Sequence, residues 1–168
     1  KALSQSPSSP YEGYNPGGIN TADIKRNIAA LAAETGNRDL VDTMAKDILK
    51  DASGDPINTR MQAARLYQAG KEFDKAAECF DKALNLSSAP NQQRSIQEQY
   101  AACCSEAEKH DKSAQVYEKL LNDEKLQWQQ KIRYQNALAD EYEKDDRPNK
   151  AADTRDELAR SCEQFIKD

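Results

Sequence analysis

The sequence predicts an all-α protein, an α-solenoid of about four antiparallel helix–turn–helix units, and three observations carry that reading. One is repetition: "DKAAECFDKAL" at residues 74 to 84 returns thirty-seven residues later as "DKSAQVYEKLL" at 111 to 121. Another is composition, since alanine, lysine, glutamate and glutamine favour helix over strand. Of only six glycines and six prolines, half of each fall in the first eighteen residues. The third is balance, with 38% hydrophobic and 32% charged residues. An ordinary globular chain carries about 45–50% apolar residues with glycine counted. A low apolar fraction suits short helices that each bury one narrow stripe.

Residues 1–20 come first and read as a flexible tail or linker, rich in proline, glycine and serine. The "PSSP" at 7–10 formally fits a polyproline ligand, but no basic residue flanks it closely. Tyr11 and Tyr14 could anchor this tail on the helical stack. The repeat domain is expected over 21–168. Its first, faintest unit is "RNIAALAAETGNRDLVDTMAKDILK", with Gly36 in the place that Gly70 takes in the next. The second opens at Asp55–Pro56, a capping aspartate followed by proline at the first helical position. Met61, Ala64 and Tyr67 then fall at helical spacing, Gly70 breaks the helix, and Phe73, Ala76, Ala77, Phe80, Ala83 and Leu84 stripe the second helix. Ala64 and Ala76 let two helix backbones approach, while Tyr67 and Phe80 fill the space beside them. The third unit aligns Ala101 with Ala64 and Tyr117 with Phe80, and the fourth aligns Ala139, Tyr142 and Ala151. A closing helix follows from Ala151, Ala152, Leu158, Cys162, Phe165 and Ile166, with Asp153, Arg160, Glu163 and Lys167 outward. No single hairpin can bury its own stripe, so neighbours must stack.

The order Ala64, Tyr67, Ala76, Phe80, Ala83 resembles the tetratricopeptide repeat over roughly residues 21 to 166. The third unit departs with Cys104 at the tyrosine position, and the fourth with Arg155 at the aromatic position. Units recur at about thirty-five, thirty-seven and thirty-eight residues, so either the loops "LSSAPNQQ" and "NDEKLQ" or longer first helices must absorb the excess. The resemblance implies a right-handed superhelix whose first helices line a concave groove. Registered on the repeat, the groove positions are Arg26, Gln62, Arg65, Glu98, Gln99, Ala102, Arg133 and Asn136. All but Ala102 are taken as partner-binding residues. The lysine–asparagine clamp of the chaperone-tail branch is largely absent, its positions reading Arg26, Ala30, Gln62, Ser95 and Gln99.

Chemistry finds little support. The net charge of −5, without any lysine or arginine run beyond two, argues against a nucleic-acid binder. Nothing approaches eighteen consecutive apolar residues, so no membrane insertion is expected. No signal-peptide core stands near Lys1, and a cytoplasmic location is expected. Cys79, Cys103, Cys104 and Cys162 match no zinc spacing and read as small apolar fillers, a Cys79 disulfide being the alternative. His110, the lone histidine, aligns with Phe73 and reads as packed or solvated. "EYEKDD" at 141–146 lacks the ligand alternation of a calcium loop and reads as a solvated turn. No phosphate loop, catalytic residue, metal site or cofactor is expected, and the chain reads as no enzyme. The expected function is a protein-interaction scaffold that holds a partner protein or peptide in the groove. The alternative is an assembly segment of a longer α-solenoid, of vesicle-trafficking or secretion-complex type, docking through its ends and ridge within a larger complex.

Overall fold

The computed structural model describes residues 21–50 and 54–167. The expected tail at 1–20, with its "PSSP", Tyr11 and Tyr14, and the side chains of Phe165, Ile166 and Lys167 lie outside the described residues. Eight helices occur among the described residues: α1 Thr21–Glu34, α2 Arg38–Lys50, α3 Pro56–Ala69, α4 Phe73–Leu86, α5 Pro90–Glu106, α6 His110–Leu121, α7 Trp128–Lys144 and α8 Pro148–Lys167. Each packs on its successor, and α1 also packs on α3, as a stack of hairpins requires. The α3 start is built as its sequence suggests: Asp55 accepts from the Ile57 amide at 3.1 Å, and Pro56 takes the first helical position.

Every hairpin turns through the same backbone device. Gly36, Lys71, Glu108 and Asp146 take left-handed φ values of 72°, 58°, 58° and 56°. The amide that follows each reaches five residues back, as in Asn37 to Ala32 (2.7 Å), Glu72 to Tyr67 (2.8 Å), Lys109 to Cys104 (2.9 Å) and Arg147 to Tyr142 (2.8 Å). This is a Schellman closure, which satisfies carbonyls that the helix end would leave unpaired. It fixes the register at steps of 35, 37 and 38 residues. It also corrects the alignment of Gly36, which matches Lys71 rather than Gly70. The extra length resides in the first helices, since α5 and α7 hold 17 residues against 14 in α1 and α3.

With that register the core explains itself. Ala29, Ala64, Ala101 and Ala139 are all fully buried on the first helices. Val41, Ala76, Ser113 and Ala151, at most 1% exposed, face the matching place on the second helices. Small residues there bring the backbones together, and Ser113 satisfies its hydroxyl on the Ala101 carbonyl at 3.0 Å. Phe80 stacks on Tyr100 with ring centroids 5.9 Å apart, and Tyr117 meets Tyr134 at 6.2 Å, so aromatic pairs join successive repeats. Cys79, Cys103 and Cys104 are buried free thiols, and burial pushes Cys103 up to about 12. They pack as small apolar groups.

Val41 is the bulky exception among the small residues, and Gly70 is its complement. A Cβ at Gly70 would lie 2.6 Å from one Val41 methyl and 2.9 Å from the other. Gly70 sits at φ −77°, so space rather than backbone freedom requires it. Gly70→Ala is therefore expected to destabilise the chain by about 1–3 kcal/mol in urea denaturation. Adding Val41→Ala should recover part of that loss, because the two substitutions share one contact. Simple additivity would contradict the steric account.

Candidate functional site

The seven residues assigned to the groove lie on the first helices, α1, α3, α5 and α7. Two residue pairs among them are joined. The Arg65 Nε donates to Gln99 Oε1 at 2.7 Å, linking α3 to α5. Arg133 donates to Glu98 Oε1 at 2.5 Å, linking α7 to α5, and the Tyr134 hydroxyl donates to the same oxygen. Gln68 adds a parallel rung to Glu106 at 2.8 Å. Thus Arg65, Glu98, Gln99 and Arg133 form rungs between repeats, while Gln62 and Asn136 stand exposed. Arg26 is half-buried on α1, in register with Met61, Glu98 and Asn136.

Between α5 and α7 this face opens into a cleft of about 510 Å³, lined by Arg94, Ser95, Glu98, Lys125, Gln130 and Arg133 among others. The start of α5 forms one wall, with Ala89 offering no side-chain cap and Pro90 no amide. A helix N-terminus carries partial positive charge, and Arg94, Lys125 and Arg133 add to it. Glu98 and the Arg94–Asp123 ion pair offset only part of this charge. Arg94 Nε is buried without a hydrogen-bond partner. Burial, and then the hydrogen bond to Glu98, push the Tyr134 phenol up, which favours the protonated form that donates to Glu98. Such a cleft can hold an anionic or hydrogen-bond-accepting group. Arg94, Lys125 and Gln130 were missed in the sequence because no groove position of the repeat falls on them.

A second polar cluster lies between α5, α6 and α7. Glu141 is 4% exposed, which corrects the reading of "EYEKDD" as a solvated turn. Its register partners are Leu66 and Cys103, so the repeat phase points it inward. Ser105 Oγ donates to Glu141 Oε1 at 2.7 Å, Lys144 Nζ lies 3.0 Å from the same oxygen, and His110 Nδ1 sits 2.9 Å from Oε2. Burial pushes this carboxyl up, but the bonds from His110, Ser105 and Lys144 outweigh it and hold Glu141 below the usual glutamate range. Serine and histidine meet only through the carboxylate, so the imidazole is not placed to take the serine proton. The cluster ties three helices together. No group of acidic, histidine and cysteine side chains that could hold a metal occurs among the described residues. No helix among them is long and apolar enough to cross a membrane.

Glu141→Gln is expected to lower stability by about 2 kcal/mol at pH 7. A depressed carboxyl stabilises the fold above the ordinary glutamate value of 4.5, and loses that contribution as pH falls through its lowered native value. The gap between wild type and variant in urea denaturation should therefore narrow as the pH falls below 4.5. A gap independent of pH would contradict the assignment.

No family model and no curated protein sequence matches this chain. Among solved structures, the chain is similar to TPR-like repeats from Podospora anserina, nearly identical to one another and described as those of a putative kinesin light chain. The TM-score is 0.59 at 12% identity, covering 94% of this chain and 82% of that one. That likeness concerns the fold, and it agrees with the four turn-registered hairpins and their buried alanines. The described residues form a tetratricopeptide-like helical repeat array.

Proposed function

We propose that the chain is a non-catalytic protein-interaction scaffold, which holds an extended or helical segment of a partner protein across the face of α1, α3, α5 and α7. The observation that carries this reading is the α5–α7 cleft, where Glu98 and Arg133 converge with Arg94, Lys125 and Gln130. Its positive lining within a chain of net charge −5 favours a partner segment with an acidic side chain at that point. The rungs at Arg65–Gln99 and Glu98–Arg133 support the reading in another way. They hold the polar groups of neighbouring repeats in fixed places, which lowers the entropy cost of binding.

Because Arg65 and Arg133 also join repeats, reversing their charges would disturb the stack together with the face. Exposed Gln62 and Asn136 are cleaner probes. A displayed random-peptide library should yield acidic sequences that bind the chain. Gln62→Trp with Asn136→Trp should weaken them at least tenfold without moving the melting temperature, while Gln115→Trp on the exposed face of α6 should leave them unaffected. Loss of binding only with Gln115→Trp would move the contact to the ridge of second helices and contradict the proposal.

A further inference from the structure

Of the described residues that line the α5–α7 cleft, Glu98 alone is acidic. It stands among Arg94, Lys125 and Arg133, and so offsets part of the charge that a partner carboxylate would meet there. Its Oε1 accepts from two donors of α7, Arg133 at 2.5 Å and the Tyr134 hydroxyl. The two donors differ in freedom. Tyr134 is 1% exposed and fixed in the stack, whereas the Arg133 side chain is 61% exposed and faces solvent. The Arg133 guanidinium also lies over the Tyr134 ring, 5.1 Å from its centroid. That contact keeps Arg133 in place whichever carboxylate it pairs with. The Tyr134 hydroxyl likewise keeps Glu98 on α7 when Arg133 turns to another acceptor.

The neighbouring rung joins its repeats without a carboxylate. There Arg65 reaches from α3 to Gln99 at 2.7 Å, and the acceptor is a neutral amide. A glutamine at position 98 would offer the same kind of oxygen to Arg133 and Tyr134 at nearly the same size. The charge of Glu98 is therefore surplus to the rung. Its effect falls on whatever else approaches Arg133, since a second carboxylate is repelled and a neutral acceptor is not.

We propose that Glu98 is a built-in competitor for Arg133 and determines which segments the cleft accepts. An incoming acidic side chain takes over Arg133, Glu98 stays on the Tyr134 hydroxyl, and repulsion between the two carboxylates weakens the capture. This role rests on the acidic partner proposed for the cleft.

The probes are fluorescein-labelled acidic peptides, taken from the displayed library on the wild-type chain. Each is paired with a counterpart in which Asp and Glu become Asn and Gln. In anisotropy titrations at low salt, Glu98→Gln should tighten the acidic peptides at least about fivefold and leave the neutral counterparts unchanged. At about 1 M salt, where the screening length is about 3 Å, that gain should shrink to within about twofold. A merely structural role for Glu98 would move both peptide series alike at either salt concentration. Exposed Ser95 on the same wall gives the opposite sign: Ser95→Glu should weaken the acidic peptides alone, whether or not Glu98→Gln folds. Acidic peptides unchanged or weakened by a folded Glu98→Gln, or indifferent to Ser95→Glu, would overturn the competitor and leave the acidic partner standing. A library that yields no acidic peptide would overturn both.

Discussion

The close approach of helix backbones at paired small residues is the constraint on which the other features depend. Ala29, Ala64, Ala101 and Ala139 on the first helices are matched by Val41, Ala76, Ser113 and Ala151 on the second, and none has room for a larger neighbour. Close-packed interiors transmit a misfit of even one methylene. Each departure from alanine therefore has a local answer. Val41 is met by Gly70, and the Ser113 hydroxyl by a carbonyl of α5. With the backbones this near, Phe80 and Tyr117 reach the next repeat and set its angle.

Polar links between repeats follow the same period. At the hairpin tips Arg38 pairs with Glu72 at 3.2 Å, Asp74 with Lys109 at 2.5 Å, and Asp111 with Arg147. The first pair has the signs reversed, so the contact persists while its residues change. Lys75 and Lys150 lie over the rings of Tyr67 and Tyr142 at 5.5 Å and 5.1 Å. In the third repeat Cys104 takes the tyrosine position, and Lys112 instead covers Tyr100, one helical turn earlier, at 5.1 Å. Exposed pairs of this kind are screened by solvent and contribute little to stability individually. Their effect is to favour one register over its neighbours, while apolar burial supplies the stability.

The helices, their pairing and the buried alanines were legible in the sequence because each rests on a local pattern repeated four times. The turn register was not, since Lys71, Glu108 and Asp146 adopt a conformation usually taken by glycine, and Gly70 drew the alignment one residue astray. A glycine demanded by a neighbour's methyl groups looks the same in sequence as one demanded by φ. Glu141 was misjudged for a related reason: its neighbours in "EYEKDD" are surface acids, and only the repeat phase turns it inward. The seven residues assigned to a groove do lie on the first helices of the hairpins. That Arg65 binds Gln99 and Arg133 binds Glu98 depends on distances across 34 and 35 residues, which no local pattern encodes.

Ala101 and Ala102 are adjacent on α5, identical in composition and opposite in burial, and comparing them tests the constraint most directly. Urea denaturation of Ala101→Leu and Ala102→Leu measures it. Ala101→Leu should cost at least about 2 kcal/mol or prevent folding, because the side chain must enter the closest approach of the stack. Ala102→Leu should stay within about 0.5 kcal/mol of the parent, as an exposed substitution between good helix formers. Equal effects at the two positions would contradict the claim that paired small residues set the geometry of the array.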